Sequence, residues 1–438
     1  MAFYLRGIHV PHRKSTVKQE TVRMTPPQTV IIPMAMHIGA PAVPAVGVGD
    51  TVKVGTKIGE ACGKISSNIY ASVSGKVTKL ADYLLADGSV TTAVEIESDG
   101  EMSVAETVCP PTVNSREELL AALAESGIVG LGGAGFPTHV KLDVDPARIE
   151  YLIINGAECE PYITSDTVTM LTRGDDMAYA LQTLCRCMGI GKVIIGIENN
   201  KKEAIGVMRE MAASLADTAS VSVKTLPSVY PQGGEKVLVY HTTGRKIAVG
   251  KLPIDVGCVV LNCTTLAAIG AYLRTGMPLV EKCVTVDGGA VKHPQNVLVP
   301  IGTPLDALFA FCGGLTAQPA KIIYGGPMMG LTVPNENCSV LKNTNGVLAL
   351  TEKEAKLPKT TACIQCGSCV NTCPFGLAPV SIAEAYEKKD AEALRALSVM
   401  SCMECGCCSF VCPANRPLVQ INKLSKQFLR DEAKKEGN

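Results

Sequence analysis

Eight cysteines in the last quarter of this 438-residue chain form two copies of a single spacing. In each copy three cysteines stand at positions i, i+3 and i+6, and a fourth follows four residues later, directly before a proline. The copies comprise Cys363, Cys366, Cys369 and Cys373, then Cys402, Cys405, Cys408 and Cys412. Three thiolates spaced in this way can wrap one [4Fe–4S] cube from a tight loop, so the pattern predicts two such clusters.

The fourth cysteine of each copy lies beyond its loop, where it is expected to ligate the other cluster. The predicted ligand sets are therefore Cys363, Cys366, Cys369 and Cys412 for one cluster, and Cys402, Cys405, Cys408 and Cys373 for the other. A zinc ribbon is the first alternative, but it would use two CxxC pairs and leave the other cysteines without a role. Disulfides are the second alternative, but they need an oxidising compartment, and nothing in the sequence indicates secretion. Cys407 lies off the spacing and is predicted to be a packed free thiol.

A glycine run forms the second candidate site. Gly130-Leu131-Gly132-Gly133-Ala134-Gly135 satisfies the G-x-G-x-x-G dinucleotide pattern, yet it follows a predicted helix instead of a strand. Glycines let backbone N–H groups approach a phosphate or a flat ring, because no Cβ stands in the way. The run is a candidate site for a phosphate-bearing cofactor, with a packing turn as the alternative.

Two further turns carry polar groups that suit a nucleotide. The acidic turn Asn155-Gly-Ala-Glu158-Cys-Glu160-Pro161 follows a predicted strand, at the end where open α/β sheets bind ligands. A solvated loop is the alternative. The turn Gln232-Gly233-Gly234-Glu235-Lys236 opens a predicted helix, whose N-terminal dipole favours an anion.

The elements that position these turns indicate a multidomain α/β protein. Residues 1–110 alternate small apolar residues with turn glycines and are similar to the barrel-sandwich hybrid of biotinyl and lipoyl domains. Lys64 is a poor match to the modified lysine of those carriers, so we expect a structural module. In residues 111–250 a helix capped by Ser115 and Glu118 precedes alternating strands and helices, which predicts a Rossmann-like domain with a largely parallel sheet.

The remaining residues predict two smaller modules. Residues 251–350 contain short apolar runs around glycine and proline turns, with one helix near 305–311, as in a β-grasp (SLBB-like) module. Residues 351–438 hold the cysteine copies and predict an α-helical double-cluster ferredoxin domain with helices over 381–397 and 418–435.

Composition excludes some functions. Lys+Arg and Asp+Glu both number 41, so no basic field indicates nucleic acid. The prolines and glycines of the apolar stretch 30–49 argue against a membrane-spanning helix. The 19 cysteines, together with no apolar signal segment, favour a reducing cytoplasm.

These turns resemble the flavin and NADH site of the flavoprotein subunit of respiratory complex I. The resemblance rests on Gly132 to Thr138 with Lys141, on Tyr151 to Pro161, on Gly233 to Glu235 and on Asn262 to Leu266. More closely, the whole chain resembles the RnfC family of the Rnf electron transport complexes. Segments 7–9, 37–42 and 325–330 and the double cysteine pattern follow that family's order.

The resemblance implies a set of cofactor-binding residues: Gly132, Gly133, Gly135, Lys141, Asn155 and Glu158 for FMN, with Glu160, Gly234, Glu235 and Asn262 nearby. Lys141 and Glu160 are candidate NADH contacts. The sequence departs from the complex I pattern at three positions: Leu131 stands in place of Arg, Ala157 in place of Asp and Leu142 in place of an aromatic residue. These departures bear on nicotinamide binding more than on flavin binding.

The implied function is a peripheral, NAD(H)-reacting subunit of a membrane-bound, ion-translocating ferredoxin:NAD oxidoreductase on the cytoplasmic face. It would pass electrons between NADH, FMN and two [4Fe–4S] clusters, and other subunits would supply the membrane span and the contact with ferredoxin. No side chain needs to act as a general base, because the cofactors carry the chemistry. The alternatives are a soluble flavin and iron–sulfur enzyme similar to cobalamin reductase, and a cluster-only electron-transfer docking subunit.

Overall fold

The fold is that of a computed structural model, which describes residues 5–334 and 338–436. The first four residues of the predicted N-terminal module lie outside the described residues. Strands and helices are numbered below in chain order.

The N-terminal module is a two-sheet β sandwich, as the sequence predicts. Its sheets have the orders β2-β8-β7-β4 and β3-β5-β6, and fully buried valine and isoleucine side chains such as Val30, Ile32 and Ile96 fill the space between them. The first strand, β1, leaves this module and pairs with β14. Lys64 is exposed in the connection between β5 and β6. The strands are β1 (Val22–Arg23), β2 (Thr29–Pro33), β3 (Val43–Pro44), β4 (Thr51–Val52), β5 (Lys57–Glu60), β6 (Ile69–Tyr70), β7 (Gly75–Leu84) and β8 (Val90–Ser98).

A parallel α/β domain follows. Its elements are α1 (Arg116–Glu125), α2 (Thr138–Leu142), β9 (Tyr151–Gly156), α3 (Ser165–Thr172), α4 (Gly174–Met188), β10 (Lys192–Glu198), α5 (Lys202–Ser214), β11 (Ser220–Leu226), α6 (Glu235–Thr243), β12 (Cys258–Asn262) and α7 (Cys263–Thr275). All neighbours in the sheet β11-β10-β9-β12 run parallel, as predicted. Helix α1 begins at the predicted capping box, because Ser115 Oγ accepts from Glu118 N and Glu118 Oε2 accepts from Ser115 N, both at 3.2 Å.

One predicted boundary is wrong. The sequence placed residues 251 onward in the β-grasp module, but β12 pairs with β9 from Cys258↔Tyr151 to Asn262↔Asn155. The α/β domain therefore continues through α7, since a strand belongs to the sheet that satisfies its backbone hydrogen bonds.

The third module is a six-stranded sheet of order β1-β14-β13-β17-β15-β16 with one helix packed on it. Its elements are β13 (Glu281–Asp287), β14 (Gln295–Pro300), α8 (Leu305–Phe311), β15 (Lys321–Tyr324), β16 (Leu331–Thr332) and β17 (Gly346–Leu350). Helix α8 spans the predicted residues, and its buried Leu305, Leu308 and Phe309 join the core of the module.

The C-terminal domain is helical, as predicted: α9 (Glu352–Ala355), α10 (Ser368–Thr372), α11 (Pro379–Glu387), α12 (Ala391–Ala396), α13 (Cys407–Phe410) and α14 (Leu418–Glu436). The segment predicted as one helix over 381–397 is divided into α11 and α12, because Lys389 between them has φ +54°. Among the described residues, no helix is long and apolar enough to cross a membrane.

Candidate functional site

The glycine run forms a tight loop between α1 and α2. Gly130 N donates to Phe136 O at 2.8 Å, and Gly135 N donates to Gly130 O at 3.1 Å, which closes the loop. Gly133 has φ +130°, a conformation that favours glycine, and no atom lies within 4 Å of the position its Cβ would take. The loop therefore presents bare backbone beside open space, as the approach of a phosphate or a flat ring requires.

Three modules meet at this loop. From the β sandwich, Ile38 N donates to Gly135 O at 3.0 Å. From the β-grasp module, Asn343 Nδ2 donates to Gly133 O at 2.8 Å. The sequence analysis assigned neither residue to the site, because these contacts span 97 and 210 positions of the chain and no local pattern announces them.

Asn262 packs directly against the loop. A Cβ on Gly132 would lie 2.8 Å from Asn262 Nδ2, so the two residues leave no space between them. The Asn262 side chain is fixed, because Nδ2 donates to Asp166 Oδ2 at 2.8 Å and Oδ1 accepts from Thr264 N at 2.9 Å, capping α7. The structure therefore brings Asn262 to the glycine loop, and its place beside FMN stays a prediction.

Two buried lysines hold the backbone around the loop. Lys282 Nζ donates to Leu131 O at 2.6 Å, and Lys342 Nζ donates to Gly127 O at 2.7 Å. Burial lowers the pKa of each lysine to about 7, because removal from water disfavours the charged form. Sequence reasoning missed both, since an isolated lysine in a strand or loop carries no signal of its partner.

The acidic turn and the second glycine turn are joined to each other. Asn155 Nδ2 donates to Gly233 O at 2.9 Å. A Cβ on Gly233 would lie 2.4 Å from Ala157 O, so this contact tolerates only glycine. Lys141 at the end of α2 forms an ion pair of 2.7 Å with Glu235 at the start of α6. Both members of this pair are about one-third exposed or more.

The two carboxylates of the acidic turn are occupied by other partners. Glu158 accepts from Asp166 N at 2.8 Å and from Thr167 Oγ1 at 2.7 Å, so it caps α3. Glu160 accepts from Met328 N at 3.1 Å and from Met329 N at 2.9 Å, so it holds a turn of the β-grasp module. Burial raises the pKa of each carboxyl to about 7.

The N-terminal segment supplies a cation to this turn. Lys14 Nζ donates to Glu158 O at 3.0 Å and to Glu160 O at 2.7 Å, and it also bonds Ile163 O. Its ammonium lies 3.9 Å from the Glu158 carboxylate, and the side chain is only 15% exposed. Lys14 therefore fixes the backbone of the acidic turn and partly offsets the buried negative charge.

The eight patterned cysteines line two cavities. One is lined by Cys363, Cys366, Cys369 and Cys412, and the other by Cys402, Cys405, Cys408 and Cys373. The fold thus brings the fourth cysteine of each copy to the loop of the other, as the predicted ligand sets require. Among the described residues, no group of three or more His, Cys, Asp or Glu side chains is placed to hold a single metal ion.

The second cavity lies against the nucleotide-type turns. Met403, in its loop, reaches Gly234 so closely that a Cβ on this glycine would lie 2.2 Å from Met403 Cε. Tyr230 Oη donates to Cys405 O at 2.8 Å and lies 3.4 Å from Glu160 Oε1. Ile364, the counterpart of Met403 in the first loop, is 68% exposed. The second cavity is therefore the inner one, and the first faces outward.

Cys407 is 1% exposed and also lines the inner cavity. Its thiol points to the carbonyl oxygen of Tyr230 at 3.9 Å. Its burial agrees with a packed thiol, and its chemical role stays a prediction.

Comparison with protein families gives four matches along the chain. They are described as the RnfC barrel sandwich hybrid domain at residues 3–101, the Nuo51 FMN-binding domain at 123–271, the SLBB domain at 283–332 and the 4Fe-4S dicluster domain at 356–413. The second match extends beyond residue 250, in agreement with the pairing of β12.

Curated relatives match the chain over almost its whole length. It is 39% identical over 99% of its length to the C subunit of a Na(+)-translocating ferredoxin:NAD(+) oxidoreductase complex of Acetobacterium woodii, of which 98% is covered. It is 40% identical over 98% of its length to the C subunit of a proton-translocating ferredoxin:NAD(+) oxidoreductase complex of Clostridium ljungdahlii, of which 94% is covered.

Among solved structures, the chain is similar to an NAD+-reducing [NiFe]-hydrogenase in the H2-reduced state. The TM-score is 0.51 with 18% sequence identity, over 73% of this chain and 62% of the other. At this identity the likeness concerns the fold alone.

Proposed function

Because this chain belongs to the RnfC family of ion-translocating ferredoxin:NAD(+) oxidoreductase complexes, we propose that it is the subunit that reacts with NAD(H). In this role it carries FMN and two [4Fe–4S] clusters. The observation that carries the proposal is the contact of Met403 with Gly234, since it joins a cysteine-lined cavity to the turns of the flavin-type site.

The residues around the glycine loop fit FMN. Gly132 and Gly133 supply bare backbone, Asn262 forms a fixed polar wall, and Gly135 lies at the contact with the β sandwich. FMN, when bound, exchanges a hydride with NAD(H) and single electrons with iron–sulfur clusters. The chain's own contribution is to hold the cofactors in order and at fixed distance.

The roles of the acidic residues differ from those implied by the resemblance. We assign Glu158 and Glu160 positioning roles in place of direct FMN and NADH contacts, since their carboxylates already accept backbone hydrogen bonds. Lys141 and Glu235 form an accessible pair at the rim and remain candidates for contacts with the flavin or the nicotinamide nucleotide. Asn155 and Gly234 support the turn between flavin and cluster.

The proposed electron path runs from the glycine loop to the inner cavity and then to the outer one. Met403 and Gly234 bring the inner ligand loop against the flavin site, whereas Ile364 leaves the outer loop exposed for a partner. We place this subunit peripherally on the cytoplasmic face of the membrane, because no cysteine of the described residues forms a disulfide, as expected in a reducing compartment. Other subunits of the complex provide the ion path and the contact with ferredoxin.

Substitution of Gly132 tests the flavin site. In Gly132→Ala the new methyl group would lie 2.8 Å from Asn262 Nδ2, which its hydrogen bonds hold in place. We expect overpacking of about 1–3 kcal/mol, which corresponds to a rise in the Kd for FMN of roughly five- to 150-fold. The Kd is measured by quenching of flavin fluorescence. Gly206→Ala is the matched control, because it lies in α5 with no atom within 4 Å of its Cβ position. Equal affinity in both variants and wild type would contradict the assignment.

A further inference from the structure

The two cysteine copies are halves of a 39-residue structural repeat, which makes each half a control for the other. Cys363 corresponds to Cys402, and the helices that follow the copies begin at Pro379 and Leu418, again 39 residues apart. The ligand loops have the same hydrogen bond, because Gln365 N lies 3.4 Å from Cys363 Sγ and its counterpart Glu404 N lies 3.4 Å from Cys402 Sγ. A difference between the halves is therefore a difference between the cluster environments.

Two side chains at the ligand sulfurs break this symmetry. In the outer half Ser368 Oγ lies 3.4 Å from Cys366 Sγ, and its counterpart in the inner half is Cys407. In the inner half the side chain is an amide. Asn422 on α14 is 1% exposed and donates from Nδ2 to Cys402 Sγ at 3.4 Å. Its counterpart on α11 is Ala383, which is fully buried and offers no donor. The inner cluster site thus has an amide N–H···S hydrogen bond that is missing at the equivalent position of the outer site.

The other amide atom of Asn422 supports the same orientation. Asn422 Oδ1 is buried and has no hydrogen-bond partner. A buried unsatisfied oxygen costs roughly 1–3 kcal/mol, so a side chain kept in this pose needs a compensating interaction on its N–H side. A cluster sulfur that carries negative charge supplies that interaction, since hydrogen bonds to charged acceptors are the strong ones.

Formal charges also lie near the two sites. At the inner site the Glu160 carboxyl is 3.4 Å from the Tyr230 hydroxyl that bonds Cys405 O. Lys426 Nζ donates to Cys402 O at 3.0 Å, but it is also paired with Glu404 at 2.5 Å. In the other half the counterpart of Lys426 is Glu387, which is paired with Arg416 at 3.2 Å. The amide hydrogen bond to Cys402 is therefore a contribution of its own at the inner site, and substitution of Asn422 isolates it.

We propose that Asn422 raises the reduction potential of the inner cluster, so that this cluster accepts electrons arriving from the flavin site more readily. The physical reason is that an N–H dipole aimed at a ligand sulfur stabilises the reduced cluster, which carries one more electron. Asn422 is a positioning residue in this sense, because it acts through Cys402. The proposal rests on the cluster assignment of the proposed function.

The test is a redox titration of the full chain with reconstituted clusters, followed by paramagnetic resonance. Asn422→Ala reproduces the residue of the outer half, and Asn422→Leu removes the donor with little change in volume. Both should lower the reduced-to-oxidised ratio of one cluster about tenfold at a fixed solution potential, equivalent to about 59 mV for a one-electron couple. The other cluster should titrate as in the wild type.

Gln420→Leu is the matched control, since this exposed amide lies on the same helix α14 and outside both cysteine copies. Both cluster potentials should stay unchanged in this variant. The proposal is overturned if either Asn422 variant retains its iron and sulfide and titrates as the wild type does, or if both clusters shift together. A wild-type chain that assembles no cluster would overturn the proposed function as well.

Discussion

Replacement of Lys14 by methionine tests how the acidic turn is held. The ammonium group donates to Glu158 O at 3.0 Å and Glu160 O at 2.7 Å, and it lies 3.9 Å from the Glu158 carboxylate. In Lys14→Met these acceptors lose a charged donor while the side-chain volume stays similar. Removal of one partner of a buried ionic group costs about 3–5 kcal/mol, and the lower figure suits a side chain that is 15% exposed. We expect local destabilisation of about 3 kcal/mol.

The loss should depend on pH in a defined direction. Burial raises the pKa of Glu158 to about 7, and Lys14 is the strongest influence that lowers it. A carboxyl whose pKa is higher in the folded than in the unfolded state contributes stability below its unfolded value of 4.5, and this is lost as the pH rises through about 7. Without Lys14 the pKa rises further, so the variant keeps losing stability above pH 7. The difference from wild type should therefore be larger at pH 8.5 than at pH 6.

Hydrogen exchange is the suitable assay, because a multidomain chain has no single unfolding free energy. The amides of Asp166 and Thr167, which bond Glu158, should exchange roughly a hundredfold faster in the variant after correction for intrinsic rates. Lys18→Met removes an exposed lysine of the same segment and should change nothing. Unchanged protection in Lys14→Met, or an equal effect at both pH values, would refute the reasoning.

Two further predictions concern the clusters and the glycine loop. Cys412→Ser should impair the outer cluster, whose other ligands lie in the first copy, and leave the inner one intact; resonance spectra showing the reverse would exclude crossed ligation. Lys342→Met removes the donor to Gly127 O, Asn68 O and Ser67 Oγ, so flavin should be released at a lower temperature. Burial lowers the pKa of Lys342 from 10.5 to about 7. Between these pH values the unfolded chain binds this proton and the folded chain does not, so the wild-type stability rises with pH. The stability of Lys342→Met should lack the contribution of this lysine to the rise. An identical pH profile of flavin release would count against a buried charge at this position.

Local chemistry explains what the sequence could predict. The capping box of Ser115 and Glu118 is complete within four residues, and the alternation of strands and helices in residues 151–226 is enough to imply a parallel sheet. The placement of each fourth cysteine at the cavity of the other copy could be predicted from spacing, because this cysteine lies beyond its own loop. Crossed ligation itself stays a prediction.

Long-range contacts explain what the sequence could not predict. Glu158 and Glu160 looked like ligand contacts, yet α3 and the 328–329 turn take their carboxylates. Ile38 and Asn343 reach the glycine loop from other modules, and β12 joins a sheet whose neighbouring strand lies about a hundred residues earlier. In each case the partner is fixed by tertiary packing and leaves no periodic trace.

The most direct test of the central claim is an anaerobic NADH titration of the purified, cluster-reconstituted chain, with absorbance and paramagnetic resonance followed together. The account predicts that bound FMN bleaches and that the inner cluster, next to Gly234 and Met403, is reduced before the outer one. A chain that holds iron and sulfide but binds no flavin and does not respond to NADH would contradict the account, and would indicate a cluster-only electron-transfer protein.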